Sequence, residues 1–325
     1  MYRIFLILIV ILSILSCQRE RTSSTNHPYK EKIDSLISIM TINEKAGQLT
    51  LYSGGYAMTG SEFREDFMEE LRDGRAGNMF NAFTVEYASK IQEVAISETR
   101  LGIPMLFGLD VIHGYRTTYP TPLAESCTWD LSIIEKTARF SAKEATAGGV
   151  NWTFNPMVDI ARDPRWGRIA EGSGEDPYLG SLIAAAKVKG YQGEDLSNRE
   201  TLLACVKHFA GYGASKAGRD YHTVDMSDRE LRQTHLPPFK AAIDAGAASV
   251  MTAFNELDGI PATGSRYLLT EILRDEWGFE GFVVTDYTSM NEMIPHGIVA
   301  NEKEAAELAF KAGVEMDMQG GLYSK

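Results

Sequence analysis

Side chains of catalytic type collect behind a series of short apolar runs. The run 103–109 is followed by Asp110 and His113, and the run 150–158 holds Asn155 and leads into Asp159, Arg162, Arg165 and Arg168. Lys207 and His208 lie near the end of the run 203–209. Asn255 follows 249–254, Asp286 follows 281–285, and Asp317 lies within 314–318. Solvated charges scatter along helix faces, so carboxylates, amides and cations at six strand ends read as one rim and one site. Asp286, in "GFVVTDY", stands at the end of an apolar strand, where a nucleophile or base is held rigidly; the alternative is an N-cap for the following helix. Lys207 could form a Schiff base, donate to hydroxyls, or be buried in an ion pair with a rim carboxylate. His113, His208 and His222 match no metal-ligand spacing, so no metal centre is expected. The stretch "RDPRWGRIAEGSGEDPYLG" is too polar for core. It could clamp a neutral polyol through arginines and stack it on Trp166, or brace the rim through Arg–carboxylate pairs.

Holding such a rim requires parallel strands that end on one side. Eight runs rich in apolar and β-branched residues, 47–52, 76–80, 103–109, 150–158, 203–209, 249–254, 281–285 and 314–318, alternate with helical patterns. Thr41 with Glu44, Ser132 with Glu135 and Ser227 with Glu230 have the capping-box spacing and mark helix starts. Leu131, Ile134, Ala138, Ala142 and Ala145 form one apolar helix face, and Pro237-Pro238 predicts a break. Trp129, Trp152 and Trp277 are expected in core packing. No glycine-rich phosphate loop follows the first run, which favours an α/β fold of the (β/α)8 TIM-barrel type over a doubly wound sheet. The chain stops at Lys325, about seven residues past the last run, so the last outer helix of the barrel is expected to be lacking.

The 325 residues are 44% hydrophobic and 23% charged, within the globular range, and a formal charge of −12 disfavours nucleic acid as a partner. Residues 1–16 have a basic start and an apolar run too short to span a membrane, which is the pattern of a secretion signal. The signal ends at Leu15-Ser16-Cys17, which resembles a bacterial lipobox, so Cys17 is the expected lipidation site. Its lipid is the one expected membrane contact, facing the periplasm or cell surface. Residues 17–45 read as a tether and leading helix, and 46–325 as the barrel. Cys205, in an apolar run, is expected to be a buried structural thiol.

The segments "GLDVIHGYRTTYPTPLAES", "NPMVDIARDPRWGRIAEGSGEDPYLG", "CVKHFAGYGASKAGRDYHTVDMS", "VMTAFNELDGIPATGS" and "GFVVTDY" together resemble the amino-terminal barrel of family 3 glycoside hydrolases, of the periplasmic β-glucosidase type. The resemblance covers residues 30–325. It implies a retaining β-glycosidase acting on terminal non-reducing sugars, without a cofactor, with Asp286 as the nucleophile of a glycosyl-enzyme intermediate. Asp110, Arg168, Lys207 and His208 match the residues that hold the sugar hydroxyls, Arg219 falls near another such arginine, and Tyr287 stands where the family often has an aromatic wall. Phe254 replaces a common Tyr. Retaining hydrolysis needs a second carboxyl group roughly 5 to 5.5 Å from the nucleophile. Most of the family supplies it from a carboxyl-terminal domain, which the resemblance leads us to expect is lacking here. A branch of the family uses an Asp and a His on the loop after the fifth strand, and Asp220-Tyr221-His222 invites the comparison at a longer spacing. The alternative function is a sugar-binding barrel with impaired or absent catalysis. The oligomeric state is left open.

Overall fold

A computed structural model describes residues 28–54, 66–82 and 84–325. The signal segment and Cys17 lie outside the described residues. Two units separate at Met40/Thr41, inside the segment read as tether and leading helix. In the first, Lys30–Ile39 forms a helix carrying an exposed Lys30–Asp34 pair.

The second unit, Thr41–Lys325, holds eight parallel strands: β1 (Thr50–Ser53), β2 (Asn78–Phe80), β3 (Phe107–Leu109), β4 (Trp152–Thr153), β5 (Leu203–Phe209), β6 (Ser249–Thr252), β9 (Phe282–Val284) and β10 (Asp317–Met318). A small antiparallel hairpin, β7 (Glu256–Leu257) with β8 (Ile260–Pro261), sits after β6. The sheet runs β10-β1-β2-β3-β4-β5-β6-β9, and a parallel bridge between Val284 and Met316 brings its ends together. All eight predicted runs overlap a barrel strand, and the architecture is the expected (β/α)8 barrel. Thr285 reinforces the seam: its N–H donates to the Met316 carbonyl and its hydroxyl accepts the Met318 N–H.

Alternation along the strands sorts the core into an inner and an outer layer. Inside the barrel, Leu51, Phe80, Trp152, Phe154, Cys205, Met251, Val284, Met316 and Met318 pack together. Trp152 and Phe154 meet edge to face at 4.9 Å, and the Trp152 indole N–H donates to Ser249 Oγ. Gly108 is glycine because a Cβ there would lie 2.5 Å from the Phe154 ring. Outside, Ala204 and Val206 of β5 face the helices, as do Ala138 and Ala142 of helix Leu131–Ala147.

The helix signals fare unequally. Thr41 and Glu44 form a true capping box, and Ser227 caps at the Glu230 N–H. Ser132 does not cap; the helix starts two residues earlier than that spacing implies, with Asp130 at the N-cap accepting the N–H groups of Ser132 and Ile133. Pro237 opens a new helix, Pro237–Asp244, after a π-helical turn at Leu231–His235, so the predicted break is there. Trp152 is buried and Trp277 packs against the core, but Trp129 is 78% exposed, which corrects its expected core placement.

Candidate active site

Above the inner core, at the carboxyl ends of the strands, a cavity of about 210 Å³ is lined by Asp110, Arg168, Lys207 and Asp286 with Asn81, Tyr221, Phe254 and Tyr287 around them. It is smaller than the roughly 300–1,000 Å³ of drug-sized sites and suits a single small ring. Two wider recesses lie away from these strand ends: one of about 390 Å³ beside the end of helix Pro177–Gln192, and one of about 430 Å³ between residues 146–151 and the segment 196–203. The first is lined by charged residues, among them Glu135, Lys136, Arg139, Lys189 and Glu194, that belong to the outer helices and the loop after them rather than to strand ends.

The charged side chains are held in pairs. Lys207 reaches the cavity because it shares the inward parity of Leu203 and Cys205, and its Nζ donates to Asp110 Oδ1 at 2.5 Å. Arg168 caps the short turn Ile169–Glu171, and its Nε and Nη2 form a two-bond fork with Glu171 at 2.8 and 2.9 Å. That fork keeps Arg168 charged against the opposing effect of burial, and leaves Nη1 3.9 Å from Asp286 Oδ2. Asp286 follows β9, with Oδ1 accepting the Tyr287 N–H at 2.7 Å. Burial pushes Asp286 up to about 6, with Arg168 and Lys207 pulling the other way.

His208 is fully buried beside Lys207. Its Nε2 lies 3.4 Å from Asp286 Oδ2, while Asp159 Oδ2 sits 2.8 Å from Nδ1 and accepts the His208 backbone N–H at 2.9 Å. Burial raises Asp159 to about 7 and, with the cations Arg168 and Lys207, lowers His208. Aromatic rings wall the cavity. Tyr287 meets Phe80 edge to face at 6.4 Å, and Tyr221 lies over Phe254 at 4.3 Å with a 41° tilt.

Of the sequence-derived site residues, Asp110, Arg168, Lys207, His208, Asp286 and Tyr287 come together here. Arg219 does not: it is exposed and absent from the cavity lining. The single-rim reading is also too broad. Asn155 and Asn255 are buried in backbone contacts, Asn155 to the Val111 and Ile112 carbonyls and Asn255 to the Ala210 carbonyl. Asp317 is fully buried and accepts the Leu322 N–H, because its neighbour Met318 takes the inward place. Trp166 is no stacking platform, being 1% exposed with its indole N–H on Asp220. Arg162 and Arg165 brace the rim through Glu230 and Asp163, so only Arg168 of that stretch's arginines reaches the cavity. Cys205 is buried as expected. Glu171 and the Asp159–His208 contact were missed in the sequence; the Arg168–Glu171 spacing of three residues was the available signal for the first.

Chemically, the arrangement offers one rigid, half-desolvated carboxylate, a cluster of donors fixed by their own counter-ions, and aromatic walls. Comparisons with known proteins give the family. The model of the glycosyl hydrolase family 3 N-terminal domain matches residues 41–323. A periplasmic beta-glucosidase of Salmonella typhimurium is 42% identical over 92% of this chain and 39% of its own length. A beta-xylosidase of Formosa agariphila is 36% identical over 81% of the chain and 38% of its own length. The crystal structure of a beta-glucosidase from Listeria innocua in complex with isofagomine superposes with a TM-score of 0.85 at 44% identity, over 90% of this chain and 42% of that one. The chain thus spans about two-fifths of the length of these relatives.

Proposed function

Because the chain belongs to the family 3 glycosyl hydrolases through their N-terminal domain, we propose that it carries the sugar-binding site and nucleophile of a retaining β-glycosidase, β-glucosidase-like in its substrates. The observation that carries the reading is Asp286: a buried carboxylate at a strand end, with a guanidinium 3.9 Å away and a ring-sized cavity above it. In the first step a carboxylate oxygen of Asp286 bonds to the anomeric carbon. The electrons of the glycosidic bond leave with the departing oxygen, which takes a proton from an acid; water then reverses the sequence. Arg168, Lys207 and Asp110 are the groups for the sugar hydroxyls. Their forks with Glu171 and with each other mean that little ordering is left for the sugar to impose.

Protonation of the leaving oxygen is the step least provided for among the described residues. Asp110 is paired with Lys207, Glu171 with Arg168, Asp159 with His208, and Asp220 accepts from Trp166. Tethering of Asp220 also weighs against the Asp220/His222 pair as the acid. The 325-residue chain is therefore expected to act on activated aryl glycosides and hardly at all on disaccharides. Export as a lipoprotein through Cys17 is part of the same reading, in keeping with the periplasmic name of the Salmonella relative.

The test is incubation with a fluorinated aryl glycoside and mass spectrometry of the digest. An adduct on Asp286 is expected. An intact protein that binds sugar and forms no adduct overturns the catalytic reading in favour of a sugar-binding barrel.

A further inference from the structure

The Asp159–His208–Asp286 row has a proton to place. Asp159 Oδ2 takes the His208 backbone N–H, which can only donate, and the same oxygen lies 2.8 Å from Nδ1. A carboxylate oxygen in that position accepts the Nδ1 proton as well. A neutral ring would then point the bare lone pair of Nε2 at Asp286 Oδ2, 3.4 Å away. Neither of those two atoms has a hydrogen-bond partner among the described residues. Two acceptors facing each other in a buried site repel, so one proton belongs between them. It sits either on Asp286, as a carboxylic acid, or on Nε2, as an imidazolium flanked by two carboxylates. Only in the second state is Asp286 a carboxylate, the form that bonds carbon.

We propose that Asp159 is a positioning residue for Asp286: it fixes His208 with Nδ1 protonated and makes Nε2 the holder of the proton that the nucleophile must be without. The inference rests on the reading of Asp286 as nucleophile. When Asp286 bonds the anomeric carbon, the glycosidic electrons leave with the aglycone and the proton stays on Nε2. The other charged groups facing the row are Arg168 and Glu171 from the loop after β4, Lys207 on β5 and Asp110 after β3, with the phenols of Tyr212 and Tyr221. Arg168 and Lys207 already have acidic partners, so the negative charge of Asp159 stands in line with His208. Burial raises both carboxyls and lowers the imidazole, so none of the three holds its charge as it would in water.

Asp159→Asn keeps an acceptor oxygen for His208 and removes the charge. With a dinitrophenyl fluoroglycoside, whose leaving group needs no acid, the rate of adduct formation on Asp286 reads the nucleophile alone. Across about pH 4 to pH 9, the acid limb of that rate is expected to move up by about one unit in D159N. The variant is then about tenfold slower below the limb and within about twofold of wild type on the plateau. A merely structural role lowers the rate evenly at every pH, and an unmoved limb overturns the proposal. Histidine-labelled wild-type chain gives a second readout by nitrogen NMR, which needs no variant to fold. Nδ1 is expected to hold its proton throughout while Nε2 titrates; a bare Nδ1 overturns the proposal. Wild type that forms no adduct defeats the nucleophile reading, and the tautomer still decides the role of Asp159.

Discussion

Replacing Asp286 by Asn is expected to stabilise the fold at alkaline pH while abolishing adduct formation. The carboxyl is raised by burial from its ordinary 3.8 to about 6. Each unit is worth about 1.4 kcal/mol, so the ionised side chain costs the native state about 3 kcal/mol once both native and unfolded forms are deprotonated. The sign follows from proton binding. Between the two values the native state holds a proton that the unfolded chain has lost, so stability falls as pH rises through that window and levels off above it. Asn cannot ionise and its oxygen can still accept the Tyr287 N–H. It should recover about 3 kcal/mol at pH 8, or about 5 °C in Tm for a domain of this size, and almost nothing near pH 3.5. Paired thermal or urea unfolding of wild type and D286N at several pH values checks this. Asp317, which is raised too, titrates in both proteins and drops out of the difference. A gain independent of pH, or a loss at pH 8, would refute the reasoning that desolvation dominates the environment of Asp286.

Two further outcomes follow from charges held by partners. Lys187 and Glu125 form a buried pair at 2.7 Å beneath the helices, with side chains 6% and 5% exposed. Lys187→Met should cost about 3–5 kcal/mol in urea unfolding, because Glu125 is left buried without its counter-ion, and adding Glu125→Gln should recover part of that loss. Glu171→Gln breaks the symmetric fork on Arg168; adduct formation should slow by about tenfold or more through misplacement of the guanidinium, with unfolding changed much less.

What could be read from the sequence, and what could not, divides along physical lines. Strands buried on both faces must be apolar, and 203–209 coincides with β5 residue for residue. The run 150–158 contracts to the two residues of β4, because beyond Phe154 the chain peels off the β3–β4 ladder. Lys207 and Asp286 were legible because charge at a strand end is conspicuous. Asp317 looked identical in kind, yet a one-residue change of parity turns it from the cavity to the backbone of Gly320–Leu322. Trp166 was ambiguous for a different reason, since nothing in its neighbourhood says that Asp220, 54 residues on, takes its N–H. The Asp159–His208 contact is likewise a meeting of two loop-and-strand segments 49 residues apart.

The seam of the barrel has a mechanical meaning. Where other neighbouring strands share a ladder, β9 meets the segment leading into β10 through one bridge and through hydrogen bonds of Val283 and of Thr285, the residue immediately before Asp286. Thr288, two residues after it, donates to the Met318 carbonyl. The backbone on both sides of Asp286 is thus hydrogen-bonded to the segment 316–318. The position of Asp286 is therefore tied to that of β10, which is itself laddered to β1, so the closure of the barrel and the placing of this carboxylate are one and the same packing problem.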